Sequence, residues 1–143
     1  MTKKILVLVD GSENSNRALD KAIELAQEAN YELSLFHVVI TEDRFEHFSD
    51  LPEPFLTEVK KALEATGQSV LDSAKAKVPS TVKAEAFNEI GNPADQALEF
   101  IEKTKPDIVI VGGRGHGTLK RLFLGSVSRY LVENAPCPVM VVK

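Results

Sequence analysis

The chain has no tryptophan, only two methionines and a single cysteine, Cys137, in 143 residues. A lone thiol closes no internal disulfide, which excludes the small secreted scaffolds that depend on such staples. Long apolar runs are missing too. The stretch nearest the N-terminus, Ile5 to Val9, falls short of a signal-peptide core and far short of the roughly 20 residues of a membrane helix. Positive charge is in short supply: 17 Lys and Arg stand against 21 Asp and Glu, for a net charge of −4. A chain with that balance has no long-range attraction for nucleic acid or an anionic lipid surface, so any anion site on it is local. No solenoid repeat, low-complexity tract or linker interrupts it. These absences lead us to expect one compact cytoplasmic domain over residues 1–143, with neither nucleic acid nor membrane as a partner.

What is present is an alternation of two patterns. Ile5 to Val9 is a continuous apolar run closed by Asp10-Gly11-Ser12, the signature of a strand buried on both faces and ended by a turn. Ala18, Leu19, Ala22, Ile23, Ala26 and Ala29 then recur at three- and four-residue spacing, which predicts a helix from Asn14 to Ala29 that stops near Asn30. Leu33 to Ile40 reads as a second strand, parallel to the first because a helix lies between them. Residues 41–54 carry acids, two prolines and no sustained period, and read as a surface excursion. Leu56 to Val78 predicts a long helix despite Gly67, with Pro79 at its stop.

Val82 to Phe87 is expected to form a third strand. Gly91-Asn92-Pro93 opens a third helix with Pro93 at its first position, and Lys105-Pro106 closes it. Asp107 to Val111 is a fourth, fully buried strand; Ser126 to Asn134 a fourth helix; Pro138 to Val142 a last strand. Strands alternating with helices favour a three-layer α/β/α domain around a doubly wound parallel sheet.

The segment Gly112 to Arg129 (GGRGHGTLKRLFLGSVSR) contains Arg114, Lys120, Arg121 and Arg129 and no acid. It begins where a buried strand ends and finishes inside a helix. Glycines there permit close backbone approach, and free N–H groups at a helix start favour a phosphate, with Ser126 expected to cap and to donate. A P-loop is excluded because Thr118-Leu119 stands where Lys-Ser/Thr is required, and the dinucleotide fingerprint fails at Thr118 and Lys120.

What remains is Gly112-x2-Gly115-x9-Gly125-Ser126. With this spacing the chain closely resembles the nucleotide-binding branch of the universal stress protein family. The likeness extends to Ile5 through Ser12, His37-Val38, Gly91-Asn92-Pro93 and Ala135 through Val142, nearly the whole chain. It departs from the common pattern at Leu8 and Gly113. The resemblance implies a five-stranded parallel sheet in the order 3-2-1-4-5 with four helices, adenine nucleotide alpha hydrolase-like, with ATP at the crevice between the first and fourth strands.

By the same resemblance Leu8, Val9 and Asp10 should border the adenosine, and Val38 should contact adenine through its backbone. Val111, Gly112, Gly115, Gly125, Ser126 and Val127 should hold ribose and phosphates, with Arg114 and His116 reaching toward phosphate charge. Asp10 is also the candidate for Mg²⁺ or Mn²⁺ carried on the phosphates. Pairing of the last strand, around Val139 and Val141, with its counterpart in a second copy would make a homodimer.

His37, among apolar neighbours, reads as a core histidine, and Cys137, between two prolines, as a small buried filler. The expected function is an ATP-binding, stress-response regulatory module. The alternatives are a slow ATPase or phosphoryl-transfer enzyme using Ser126, Ser128 or His116, and an interaction module with an empty crevice.

Overall fold

The computed structural model describes residues 2–40, 50–113 and 124–143. The described elements, in chain order, are β1 (Lys4–Leu8), α1 (Glu13–Ala29), β2 (Glu32–Ile40), α2 (Glu53–Ala76), β3 (Ala84–Gly91), α3 (Pro93–Thr104), β4 (Ile108–Gly112), α4 (Ser126–Asn134) and β5 (Val139–Val142). The five strands form one sheet in the order β3-β2-β1-β4-β5, and every neighbouring pair is parallel.

Period-two side-chain alternation divides the core between the two faces of this sheet. Ile5 and Val7 of β1, Leu33 and Leu35 of β2 and Ile110 of β4 join Ala18, Leu19 and Ala22 of α1 and Leu71 and Ala74 of α2. The residues between them, Leu6, Phe36, Val38 and Val109, join Ala97 and Ile101 of α3 and Leu131 of α4. Ile5, Leu6 and Val7 are all fully buried, so β1 is covered on both sides, as its unbroken apolar run requires. A one-residue slip would exchange its two faces.

The helix ends follow local chemistry. Ser12 caps α1, its Oγ accepting from the Ser15 N–H at 3.2 Å, and Asn30 ends the helix in the left-handed region at φ 59°. Asn92 caps α3 by accepting from the Asp95 N–H at 3.1 Å, and Pro93 takes the first position, where its missing N–H costs nothing. At α4 the expectation fails: Gly125 is the N-cap and no side chain caps the helix, so Ser126 stands one residue inside.

Strand boundaries also differ from the sequence reading, by one residue at β1, β2 and β5. β3 begins at Ala84 and continues to Gly91, beyond Phe87, because Asn88 to Gly91 pair in register with His37 to Ile40. β4 is shifted one residue forward, ending at Gly112 beside Val142. The expected excursion 41–54 falls partly on residues 41–49, outside the described residues; its last residues already belong to α2.

Gly67 does not interrupt α2, and the reason is steric. A methyl group there would collide with the Asn88 side chain of β3. The Asn88 amide bonds across the same gap, Nδ2 donating to the Glu64 carbonyl at 2.9 Å. The glycine lets helix and edge strand approach, which offsets its poor helix propensity.

Candidate functional site

In a parallel sheet every strand delivers its carboxyl end to the same edge. The strand order reverses at β1, with β2 and β3 on one side and β4 and β5 on the other. α1 leaves β1 for one face and α4 follows β4 on the other, so a crevice opens where the connections part. A cavity of about 690 Å³ occupies that place, within the range of small-molecule sites, roughly 300–1,000 Å³.

Its floor comes from the strand ends. Leu8 ends β1 and Val9 and Asp10 follow it, and Val111 and Gly112 end β4. The wall on the α4 side includes Gly125, Ser126 and Val127, so the free N–H groups and positive dipole end of that helix face the space. Val38 lines it from β2. The structure therefore brings together nine residues singled out in the sequence: Leu8, Val9, Asp10, Val38, Val111, Gly112, Gly125, Ser126 and Val127. Arg114, Gly115 and His116 lie outside the described residues.

The turn after β1 is held by short bonds. Asp10 Oδ1 accepts from the Ser12 N–H at 2.8 Å, and the Asp10 N–H donates to Ser15 Oγ at 2.9 Å. Gly11 between them adopts φ 82°, a conformation that glycine reaches without steric cost. Asp10 thus orders the turn, while capping of α1 falls to Ser12. Among the described residues no group of three or more His, Cys, Asp or Glu side chains converges on a metal position. A divalent ion in the cavity would therefore draw most of its ligands from phosphate and water, the usual habit of Mg²⁺.

Gly112 brings β4 against the start of α1. A Cβ on it would lie 2.9 Å from the Asn14 carbonyl carbon and 3.0 Å from the Asn14 oxygen and the Ser15 nitrogen. Beyond it, the Gly125 N–H donates to the Gly113 carbonyl at 2.6 Å, and the Gly113 N–H donates to the Val142 carbonyl at 2.8 Å. Ser128 completes this clasp. Its fully buried hydroxyl lies 3.2 Å from the Gly113 oxygen and 3.0 Å from the Gly125 oxygen.

Sequence reasoning set Ser128 among possible phosphoryl-transfer groups, yet its hydroxyl is engaged with backbone on both sides of the connection. Its position two residues after Ser126, on the inward face with Leu131, was the available signal. Thr66 of α2, Asn92 and Asp95 at the start of α3, and Tyr130 of α4 also line the cavity. Asn92 belongs to the Gly91-Asn92-Pro93 helix start already read from the sequence, whereas nothing local marks Thr66, Asp95 and Tyr130, which arrive from elements distant along the chain.

His37 is buried, as expected of a core histidine, but it also borders the cavity. Cys137 is half-buried, and burial pushes its thiol above the ordinary range, in keeping with a filler and not a reactive nucleophile. No described helix is long and apolar enough to cross a membrane.

A doubly wound α/β protein with a ligand-sized cavity at its topological switch point is what this fold and site define. The comparisons with known proteins make the class specific. The chain belongs to the universal stress protein family, whose model matches residues 1–143. Universal stress protein YxiE of Bacillus subtilis is 36% identical over 148 residues, an alignment covering 100% of both chains.

Among solved structures, universal stress protein MJ0577 of Methanocaldococcus jannaschii matches with a TM-score of 0.84 at 28% identity, over 100% of this chain and 96% of that one. A universal stress family protein of Arabidopsis thaliana, solved with AMP bound, matches with a TM-score of 0.69 at 25% identity, over 99% of this chain and 91% of that one.

Proposed function

We propose that this universal stress protein binds an adenine nucleotide, ATP foremost, in the cavity at the carboxyl edge of its sheet, and acts as a regulatory binding module. The observation that carries the proposal is the convergence of the β1 and β4 ends with the α4 N-terminus on one 690 Å³ space, in a chain whose family includes an AMP-bound structure. Leu8, Val9 and Val38 supply an apolar berth for the nucleoside. Gly112, Gly125, Ser126 and Val127 offer backbone close to the phosphates, with Gly115, Arg114 and His116 completing the loop. Asp10 meets the phosphates through Mg²⁺ or Mn²⁺.

The protein acts as a homodimer, with β5 as the joining edge. Support for this comes from the sheet order, in which β5 is terminal, and from its four residues, each half-buried. An uncovered edge of β-branched residues invites pairing.

Ser126→Asp tests the site. Ser126 is exposed at the first position of α4, where an acid suits the helix dipole and leaves folding intact. The same acid repels a bound triphosphate by several kcal/mol at a separation of roughly 4 Å and an effective dielectric of about 20. Calorimetric titration with ATP and Mg²⁺ should give saturable binding to the wild type and at least roughly tenfold weaker binding to the variant. Equal affinity in both proteins would move the phosphates away from α4, and a wild type that takes up no nucleotide would leave the family's interaction role as the better account.

A further inference from the structure

His37 occupies the third inward position of β2 on the α1–α2 face, after Leu33 and Leu35, yet it is not enclosed like them. It is 9% exposed and forms part of the cavity wall. Its Nδ1 lies 2.7 Å from the Val9 carbonyl oxygen. A carbonyl only accepts, so Nδ1 carries the proton and the neutral ring is the Nδ1–H tautomer. Nε2 is then a lone-pair acceptor.

Among the described residues nothing bonds to that second nitrogen. With Nδ1 pinned by backbone, Nε2 is the ring nitrogen left to meet a ligand in the cavity that His37 lines.

The pinning carbonyl is part of the same construction. Val9 donates its N–H to the Phe36 carbonyl at 2.8 Å and accepts from the His37 ring, so the strand end that floors the cavity also sets the tautomer. In an ordinary core the second nitrogen would find a protein donor, because an unmet buried acceptor costs about 1–3 kcal/mol. Here no donor among the described residues bonds to it.

We propose that His37 is a specificity-determining residue whose Nε2 accepts a hydrogen bond from a donor on the nucleoside, either the exocyclic amine of adenine or a ribose hydroxyl. The role assumes the nucleotide reading of the cavity and adds to it a side-chain contact in the place where backbone alone was expected to read the base. A lone pair at this point welcomes an amine or hydroxyl and opposes a carbonyl oxygen, which selects an amino purine over an oxo purine if the partner is the base.

The experiment uses the intact protein and long-range proton–nitrogen NMR of its imidazoles. Free wild type should show the Nδ1–H tautomer for His37, and saturation with AMP should move the Nε2 resonance. Purine riboside monophosphate lacks the amine, and 2′-deoxy and 3′-deoxy AMP each lack one hydroxyl. One of these three should bind roughly 2- to 12-fold more weakly than AMP and leave Nε2 where it stands in the free protein. That analogue names the donor. In His37→Phe the same analogue and AMP should bind equally, which a merely structural histidine would not produce.

The wild-type spectra need no variant to fold. AMP saturation with an unmoved Nε2, an Nε2–H tautomer in the free protein, or three analogues that all shift Nε2 as AMP does would each overturn the assignment while sparing the nucleotide reading. Failure of AMP and ATP to saturate the protein at all would overturn both.

Discussion

Gly112→Ala puts a methyl group into the tightest joint of the cavity floor. The new carbon would lie 2.9–3.0 Å from three backbone atoms of Asn14 and Ser15, against an optimal carbon separation of roughly 3.5–4.0 Å. Backbone does not rotate aside as a side-chain tip does, so the start of α1 or the end of β4 must shift by about half an ångström or more. Overpacking of this kind costs about 1–3 kcal/mol. With a urea slope of about 2 kcal/mol per molar, the unfolding midpoint should fall by roughly 0.5–1.5 M with the slope unchanged. Because Asn14 and Ser15 follow the Asp10 turn, and Ser15 Oγ accepts from the Asp10 N–H, the displacement reaches the cavity and nucleotide affinity should fall as well. Gly11→Ala is the control. Its φ of 82° makes the substitution strained, but the new methyl meets nothing within 4 Å, so it should cost about 1–2 kcal/mol of conformational energy without pushing α1. A Gly112→Ala protein with wild-type midpoint and affinity would refute the claim that β4 and α1 touch through this glycine.

Three further substitutions probe the rest of the construction. Ser128→Ala removes a buried hydroxyl, but Gly113 and Gly125 keep backbone partners for their carbonyls; chemical denaturation should report a loss of only about 1 kcal/mol, and titration a larger proportional loss of nucleotide affinity. Gly67→Ala gains about 1 kcal/mol of helix propensity yet should be net destabilising because it displaces the Asn88 amide; adding Asn88→Ala should recover stability, and additive effects in that double-mutant cycle would show the two sites to be uncoupled. Val141→Pro addresses the dimer. The carbonyls of Pro138 and Val142 accept from Val109 and Gly113 on the β4 side, so the period of two turns the Val141 N–H to the open edge, where proline breaks no internal bond; sedimentation should show monomer with normal circular dichroism, and an unchanged dimer would place the interface elsewhere.

Strand and helix order was legible because each element carries its own period. Ile5 to Val9 is apolar at every position, as a doubly covered central strand must be, and α1 shows its inward face at Ala18, Leu19, Ala22 and Ala26. The ends were less legible where the deciding partner is remote. Asn88 to Gly91 look like turn residues, and they become strand because β2 is long enough to pair with them. Ser126 looks like a helix cap, but Gly125 holds the cap position and Ser126 stands inside the first turn.

The site divides along the same line. Glycine spacing and the residues after the strands could be found in the sequence because close backbone approach at a strand end is a local demand, met at Gly112 and Gly125. The roles of His37 and Thr66 could not, since each acquires its place from a packing partner that sequence order does not bring near. His37 shows the physical reason most clearly. Apolar neighbours on both sides made it read as a core residue, and it is one, with its Nδ1 satisfied by Val9. Only the three-dimensional arrangement distinguishes a histidine with both nitrogens occupied from one with a nitrogen left open beside a cavity, and that difference separates packing from recognition.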